Sequence, residues 1–188
     1  MAFDQSKRFV VEKLEVTSKG SIKFDADSEQ FFAFRGFYGA FSDYTTQTIA
    51  STTSAYVMAI GQTDEAAGVS IVNGGKITVA EAGIYNIQWS GQFVNPMTAD
   101  LDANVWMRKN NVDIVGSTGV VNVPAKHGTT SGHTIAGWNF VMSLAKNDYL
   151  ELVWSGESTS LLLEASAAST NPIRPSTASL VVTVTQVR

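Results

Sequence analysis

The stretch Gly83-Ile84-Tyr85-Asn86-Ile87-Gln88-Trp89-Ser90 decides the fold class. In an extended chain successive side chains point to opposite faces. Tyr85, Ile87 and Trp89 then share one face, and Asn86, Gln88 and Ser90 share the other. Such alternation predicts a strand with one face in a core and the other outside it. The neighbouring segments repeat the pattern. Val69-Ser70-Ile71-Val72 and Lys76-Ile77-Thr78-Val79 flank Asn73-Gly74-Gly75, which reads as a hairpin. Residues 102–109 put Val105 and Met107 on one face and Asn104, Trp106 and Arg108 on the other. Residues 133–145 group Trp138, Phe140, Met142 and Leu144; residues 149–154 group Leu150, Leu152 and Trp154. Residues 179–187 turn Leu180, Val182 and Val184 inward. Shorter strands are expected over 54–60, near Asp113, near Val121, and over 160–165. Trp89, Trp138 and Trp154 are expected in the core.

Composition agrees with this reading. Of 188 residues, 44% are hydrophobic and only 16% charged, against roughly 25% charged in an average domain. That argues against long helices with charged solvent faces. Asn95-Pro96, Asn110-Asn111 and Asn171-Pro172 punctuate the strands. About ten strands, no convincing helix and no fixed-period repeat imply an all-β sandwich or jelly roll.

Several functions are excluded or left without support. Thirteen basic against seventeen acidic residues give −4, with no basic stripe for nucleic acid. The chain has no cysteine, so disulfides, thiol nucleophiles, thiolate zinc sites and iron–sulfur clusters are absent. The longest uncharged run, residues 44–63, is too rich in Ser and Thr for a membrane helix. Residues 1–8 lack the apolar run of a signal peptide. There is no Gly-x-Ser-x-Gly elbow. Gly74-Gly75-Lys76-Ile77 fails as a phosphate loop, because Ile77 stands where Ser or Thr is required. His127 and His133 show no ligand spacing. Asp100 with Asp102, and Asp64-Glu65, are carboxylate pairs that could bind calcium or simply hydrate loops. The expectation is no enzyme, no cofactor and no metal. Trp106 and Arg108, on the polar face of their strand, are surface-contact candidates that could stack on each other.

Texture changes near residue 35. Residues 1–35 hold much of the charge, and residues 36–188 are charge-poor and rich in Thr, Ser, Ala and Val. Within the first region, 9–16 and 21–26 around Ser18-Lys19-Gly20 read as a hairpin, with a helix over 6–16 as the rival. A lone hairpin is marginal in water. This one, with Phe31-Phe32-Ala33-Phe34, is expected to form an arm that needs a partner surface. Phe9, Leu14, Phe24, Phe31, Phe32 and Phe34 are its anchor candidates.

Gly83-Ile84-Tyr85-Asn86-Ile87 resembles the Gly-x-Tyr-x-Phe core strand of the C1q/tumour-necrosis-factor-like jelly roll, with Ile87 for the aromatic. Lys76-Ile77-Thr78-Val79 leading through Ala82 resembles that family's run-in. Val105 to Asn110 resembles its strand ending in Lys-Asn. Leu144-Ala145-Lys146-Asn147-Asp148-Tyr149-Leu150 resembles its Leu-x-x-Gly-Asp-x-Leu turn, with Asn147 for glycine. The resemblance covers roughly residues 36–188. It is nearest in flavour to domains of tailed-bacteriophage virion proteins.

The resemblance implies a homotrimer whose interface would include Asn86, Gln88, Asn139, Val141, Val181, Thr183 and Thr185. It implies a structural protein on the virion surface, assembled in the host cytoplasm. The first expectation is a capsid decoration protein or head fibre, held to the major capsid protein or another virion protein by residues 1–35. The alternative is the receptor-binding tip of a tail fibre, meeting a host-surface glycan or receptor. Neither reading involves nucleic acid or membrane insertion.

Overall fold

A computed structural model describes residues 36–188. The expected hairpin arm and the anchor candidates Phe9, Leu14, Phe24, Phe31, Phe32 and Phe34 lie outside these residues.

The described residues form strands and no helix. They are β1 (Tyr38–Asp43), β2 (Gln47–Thr48), β3 (Tyr56–Val57), β4 (Gln62–Ala67), β5 (Val69–Val72), β6 (Lys76–Val79), β7 (Gly83–Asn95) and β8 (Leu101–Lys109). There follow β9 (Val112–Asp113), β10 (Gly119–Val123), β11 (Gly132–Leu144), β12 (Tyr149–Gly156), β13 (Leu162–Leu163), β14 (Ser169–Thr170), β15 (Ile173–Arg174) and β16 (Leu180–Gln186). All pairings between these strands are antiparallel.

Two sheets carry the core. In the first, β7 pairs β11 along one edge, and β16 and then β13 along the other. β16 continues to β1 and β1 to β4, while β2 extends β13. The second runs β10-β8-β12-β6-β5, with β3 on β12 and β9 on β8. Tyr85, Ile87, Trp89 and Phe93 from the first sheet join Ile77, Val105, Met107, Leu152 and Trp154 from the second in one buried cluster. Phe93 meets Trp154 edge-to-face between the sheets, with ring centroids 6.0 Å apart. The architecture is a β-sandwich.

Local chemistry explains the turns. Asn110 and Asn111 both take positive φ (49° and 67°) in a two-residue loop between the paired residues Lys109 and Val112. Asparagine tolerates that left-handed backbone, and two such residues match the twist of a hairpin. The β5–β6 hairpin forms as expected, with positive φ at Asn73 and Gly74.

The sandwich is closed differently on its two sides. At Gly68 (φ 68°) the chain turns from β4 in the first sheet to β5 in the second. The Phe37 ring fills the place a side chain at Gly68 would need. The opposite side ends in β11 and β10. Among the described residues each has one pairing partner, and only Thr134 Oγ1 donating to Asn122 O (3.1 Å) hydrogen-bonds across the gap.

Three expectations need correction. Residues 54–60 give only Tyr56–Val57, because Met58 and Ile60 donate to Leu152 O and Gly74 O outside a ladder. Residues 160–165 give only Leu162–Leu163. Asp64 and Glu65 sit not in a loop but on β4, all six residues of which are exposed. There Asp64 Oδ1 accepts from Ser42 Oγ and Gln62 Nε2.

The turn before β12 is tied by charge. Asp148 accepts from Asn110 Nδ2 at 2.7 Å and from Ala145 N at 2.8 Å, and pairs with Lys109 Nζ at 2.8 Å. The Lys109 ammonium, then the Asn110 amide, hold its carboxyl at about 2. Its ordinary value is ~3.9. A depressed folded pKa adds stability that is full above the unfolded value and lost as pH falls towards the folded one. Denaturant midpoints should therefore fall as pH drops from about 4 to about 2, and Asp148→Asn should flatten that part of the curve. Tyr85 Oη donates to Glu81 O at 2.8 Å, and burial raises its phenol pKa. Tyr85→Phe should cost about 1 kcal/mol in denaturant titration.

Candidate functional site

The outward face of β16–β7–β11 gathers the seven residues that the resemblance implied as interface candidates. Thr185, Asn86 and Val141 form one cross-strand row. Thr183, Gln88 and Asn139 form the next, and Val181, Ser90 and Gly137 the third. All seven interface candidates thus share one surface, because each is offset by one residue from a core position. Gln88, Asn139, Val141, Val181 and Thr185 are exposed. Gly137 has no side chain, so the third row is notched. A depression of about 560 Å³ opens there between Gln88, Ser90, Asn139, Val181 and Thr183, with Trp138 at its rim.

This face holds an unusual polar atom. Asn86 Oδ1 is buried and accepts no hydrogen bond among the described residues. Leaving such an acceptor unpaired costs roughly 1–3 kcal/mol. Exposed Val141 stands opposite Asn86 on β11; Ile135 lies further along the same strand, Val181 on β16, and Val120 on β10 of the second sheet.

Trp138 corrects an expectation. It points inward with Phe140 and Met142, yet it is 47% exposed. Among the described residues no further strand pairs with β11, and the indole lies across that open side of the sandwich. It stacks on Phe140 at 5.6 Å and fills the position a Cβ at Gly119 would take. A cleft of about 380 Å³ lies beside it, reaching Trp89, Val105, Thr134 and Ala136. Trp89 is 6% exposed, and its Nε1 has no acceptor among the described residues.

The second sheet carries a different cluster. Trp106 projects outward while Val105 and Met107 are buried, as the alternation predicts. Its Nε1 donates to Asp113 Oδ1 at 2.9 Å. Arg108 Nε donates to the same oxygen at 2.8 Å. Arg108 does not stack on the indole; both side chains converge on a carboxylate that sequence reading had not singled out. The link is the Asn110-Asn111 turn, which folds Asp113 back opposite Arg108. The indole hydrogen bond, then the guanidinium, lower the Asp113 pKa. On the other side of Arg108 stands Glu151, 6% exposed, with Oε2 unpartnered among the described residues.

The sequence-selected pair Asp100 and Asp102 ties loop and strand together. Asp100 accepts from Ala125 N and Asp102 from Asn122 Nδ2. His127 pairs with Thr130 through backbone bonds, and His133 is exposed on β11. Among the described residues no three His, Asp or Glu side chains cluster as a metal site would require. None of their elements is a helix long and apolar enough to cross a membrane. No family model matches the chain, and no curated protein matches its sequence.

The Trp138 seat is testable. Gly119→Val should push the indole outward and move tryptophan emission to longer wavelength. The shift should vanish in a Trp138→Phe background.

Proposed function

We propose that this chain is a non-enzymatic structural protein of a bacteriophage particle. It acts as a homotrimer of C1q/tumour-necrosis-factor-like jelly rolls, displayed on the virion surface as a capsid decoration protein or head fibre. Residues 1–35 attach it to the shell.

The strand order supports the jelly-roll reading. Take β1, β6, β7, β8, β10, β11, β12 and β16 as first to eighth. The sixth, third, eighth and first then form one sheet, and the fifth, fourth, seventh and second the other. That order follows from two interlocked Greek keys. Asn147, where the resemblance has glycine, takes φ 64°, a backbone glycine would favour.

The observation that carries the assembly is the outward β16–β7–β11 face. It presents three cross-strand rows that mix polar and apolar side chains, a buried amide oxygen unpaired among the described residues, and exposed Ile135, Val141 and Val181 on its strands. A mixed polar and apolar surface of this kind suits an interface with hydrogen bonds and trapped water. Association there also covers the β11 edge, which would otherwise recruit foreign strands. The virion setting comes from the sequence resemblance.

Light scattering behind size exclusion should give three times the monomer mass. Val141→Arg, which sets a charge on the exposed face, should yield folded monomer with unchanged far-ultraviolet circular dichroism; an unchanged trimer would remove the face from the interface. The full-length protein should co-sediment with bare capsids, and deletion of residues 1–35 should abolish this while leaving the trimer. Retained attachment without the arm would refute its anchoring role.

A further inference from the structure

The Trp106 cluster lies on the second sheet, away from the face used for assembly, and nothing in the proposed assembly uses it. We propose that Trp106, Asp113 and the adjoining 114–118 loop form a saccharide-binding site, with Arg108 as its second polar arm.

The site begins with a fixed aromatic surface. The indole leaves the sheet on β8 and is tied at Nε1 to Asp113 Oδ1. An indole with its N–H already bonded offers its ring face rather than its edge. The apolar C–H face of a sugar ring packs on such a surface. A depression of about 320 Å³ opens between Trp106, Asp113, Ile114, Val115, Gly116 and Thr118. Its size suits one or two sugar rings rather than a buried cofactor.

The polar groups fit the same ligand. Trp106 and Arg108 both donate to Oδ1 of Asp113. Oδ2 accepts no hydrogen bond among the described residues, and the side chain is 59% exposed. Arg108 contributes only Nε to this contact, so its terminal nitrogens carry further donors. Its side chain is 24% exposed. A free carboxylate acceptor therefore stands beside guanidinium donors. Each hydroxyl of a vicinal diol both donates and accepts, and a pair of them matches this arrangement. A phosphate would face Asp113, and a free cation would face Arg108. A purely apolar partner would strand both charges.

The loop is shaped for presentation. Gly116 takes φ 81° in a tight turn closed by Ser117 N donating to Ile114 O at 3.2 Å, a backbone conformation that favours glycine. Val115 beside it is 99% exposed. A fully exposed valine at a loop apex gains nothing by folding, and at the rim of a sugar site it would cover the ligand's second apolar face.

The test uses the full chain and titrates glucose, galactose, rhamnose, N-acetylglucosamine and purified bacterial O-antigen oligosaccharide. Binding is read by saturation-transfer NMR and by tryptophan fluorescence. At least one of these should show ring-proton saturation, and its affinity should fall tenfold or more in Trp106→Ala. Asp113→Asn keeps the Oδ1 acceptor for Trp106 and Arg108 but replaces Oδ2 with a donor. It should weaken binding by a similar factor while leaving the melting temperature within a degree or two of wild type. Lipopolysaccharide vesicles in a parallel arm distinguish a cell-surface source from free oligosaccharide. If no saccharide saturates, or if Trp106→Ala binds as wild type does, the site is a surface staple of the β8–β9 hairpin and the proposal falls. The readout does not depend on oligomeric state, so it can fail while the trimer stands.

Discussion

The two-sided pairing of β7 is the constraint on which the rest of this structure depends. Thirteen consecutive residues are held against β11 on one edge and against β16 and β13 on the other. With both edges engaged, the strand cannot slide by one residue without turning Tyr85, Ile87, Trp89 and Phe93 out of the core. Burying each such side chain is worth about 1.5–3 kcal/mol. Register is therefore fixed by several residues at once. The same register places Asn86, Gln88 and Ser90 in rows with their neighbours on the opposite surface. Core and outward face are two consequences of one alternation.

Much of the sandwich was legible because its long strands advertise themselves by period. β7, β8 and β16 each alternate over seven residues or more, and β11 and β12 carry large apolar residues at every second position, Trp138 to Leu144 and Leu150 to Trp154. The short elements were not legible. Tyr56–Val57 and Leu162–Leu163 extend along strands far away in sequence, so their lengths are set by partners rather than by their own residues. β4 escaped for another reason. Its six residues are all exposed, so no alternation marks it, and its charges read as a loop.

The sites show the same division. Seven interface candidates fell on one face because strand parity alone determines sidedness. Trp138 was misjudged because parity says which way a side chain points but not what covers it. Its exposure follows from the missing neighbour of β11, a property of sheet order. Asp113 was invisible as the partner of Trp106 and Arg108. Seven residues separate Trp106 from Asp113, and only the two left-handed asparagines of the turn bring them together. The Asn110-Asn111 pair was the available signal, since two such residues between strands specify a tight reversal.

The unequal edges of the first sheet bear on the size of any assembly. A sheet with two bare edges can add strands at both ends, and such growth has no natural stop. Here one end terminates in β4, short, wholly exposed and carrying Asp64 and Glu65. Like copies brought together there would oppose acidic side chains. The other end, β11, is long and flanked by apolar residues. Strand addition at the β4 end is therefore opposed by charge, and the sheet cannot grow open-endedly through both of these ends.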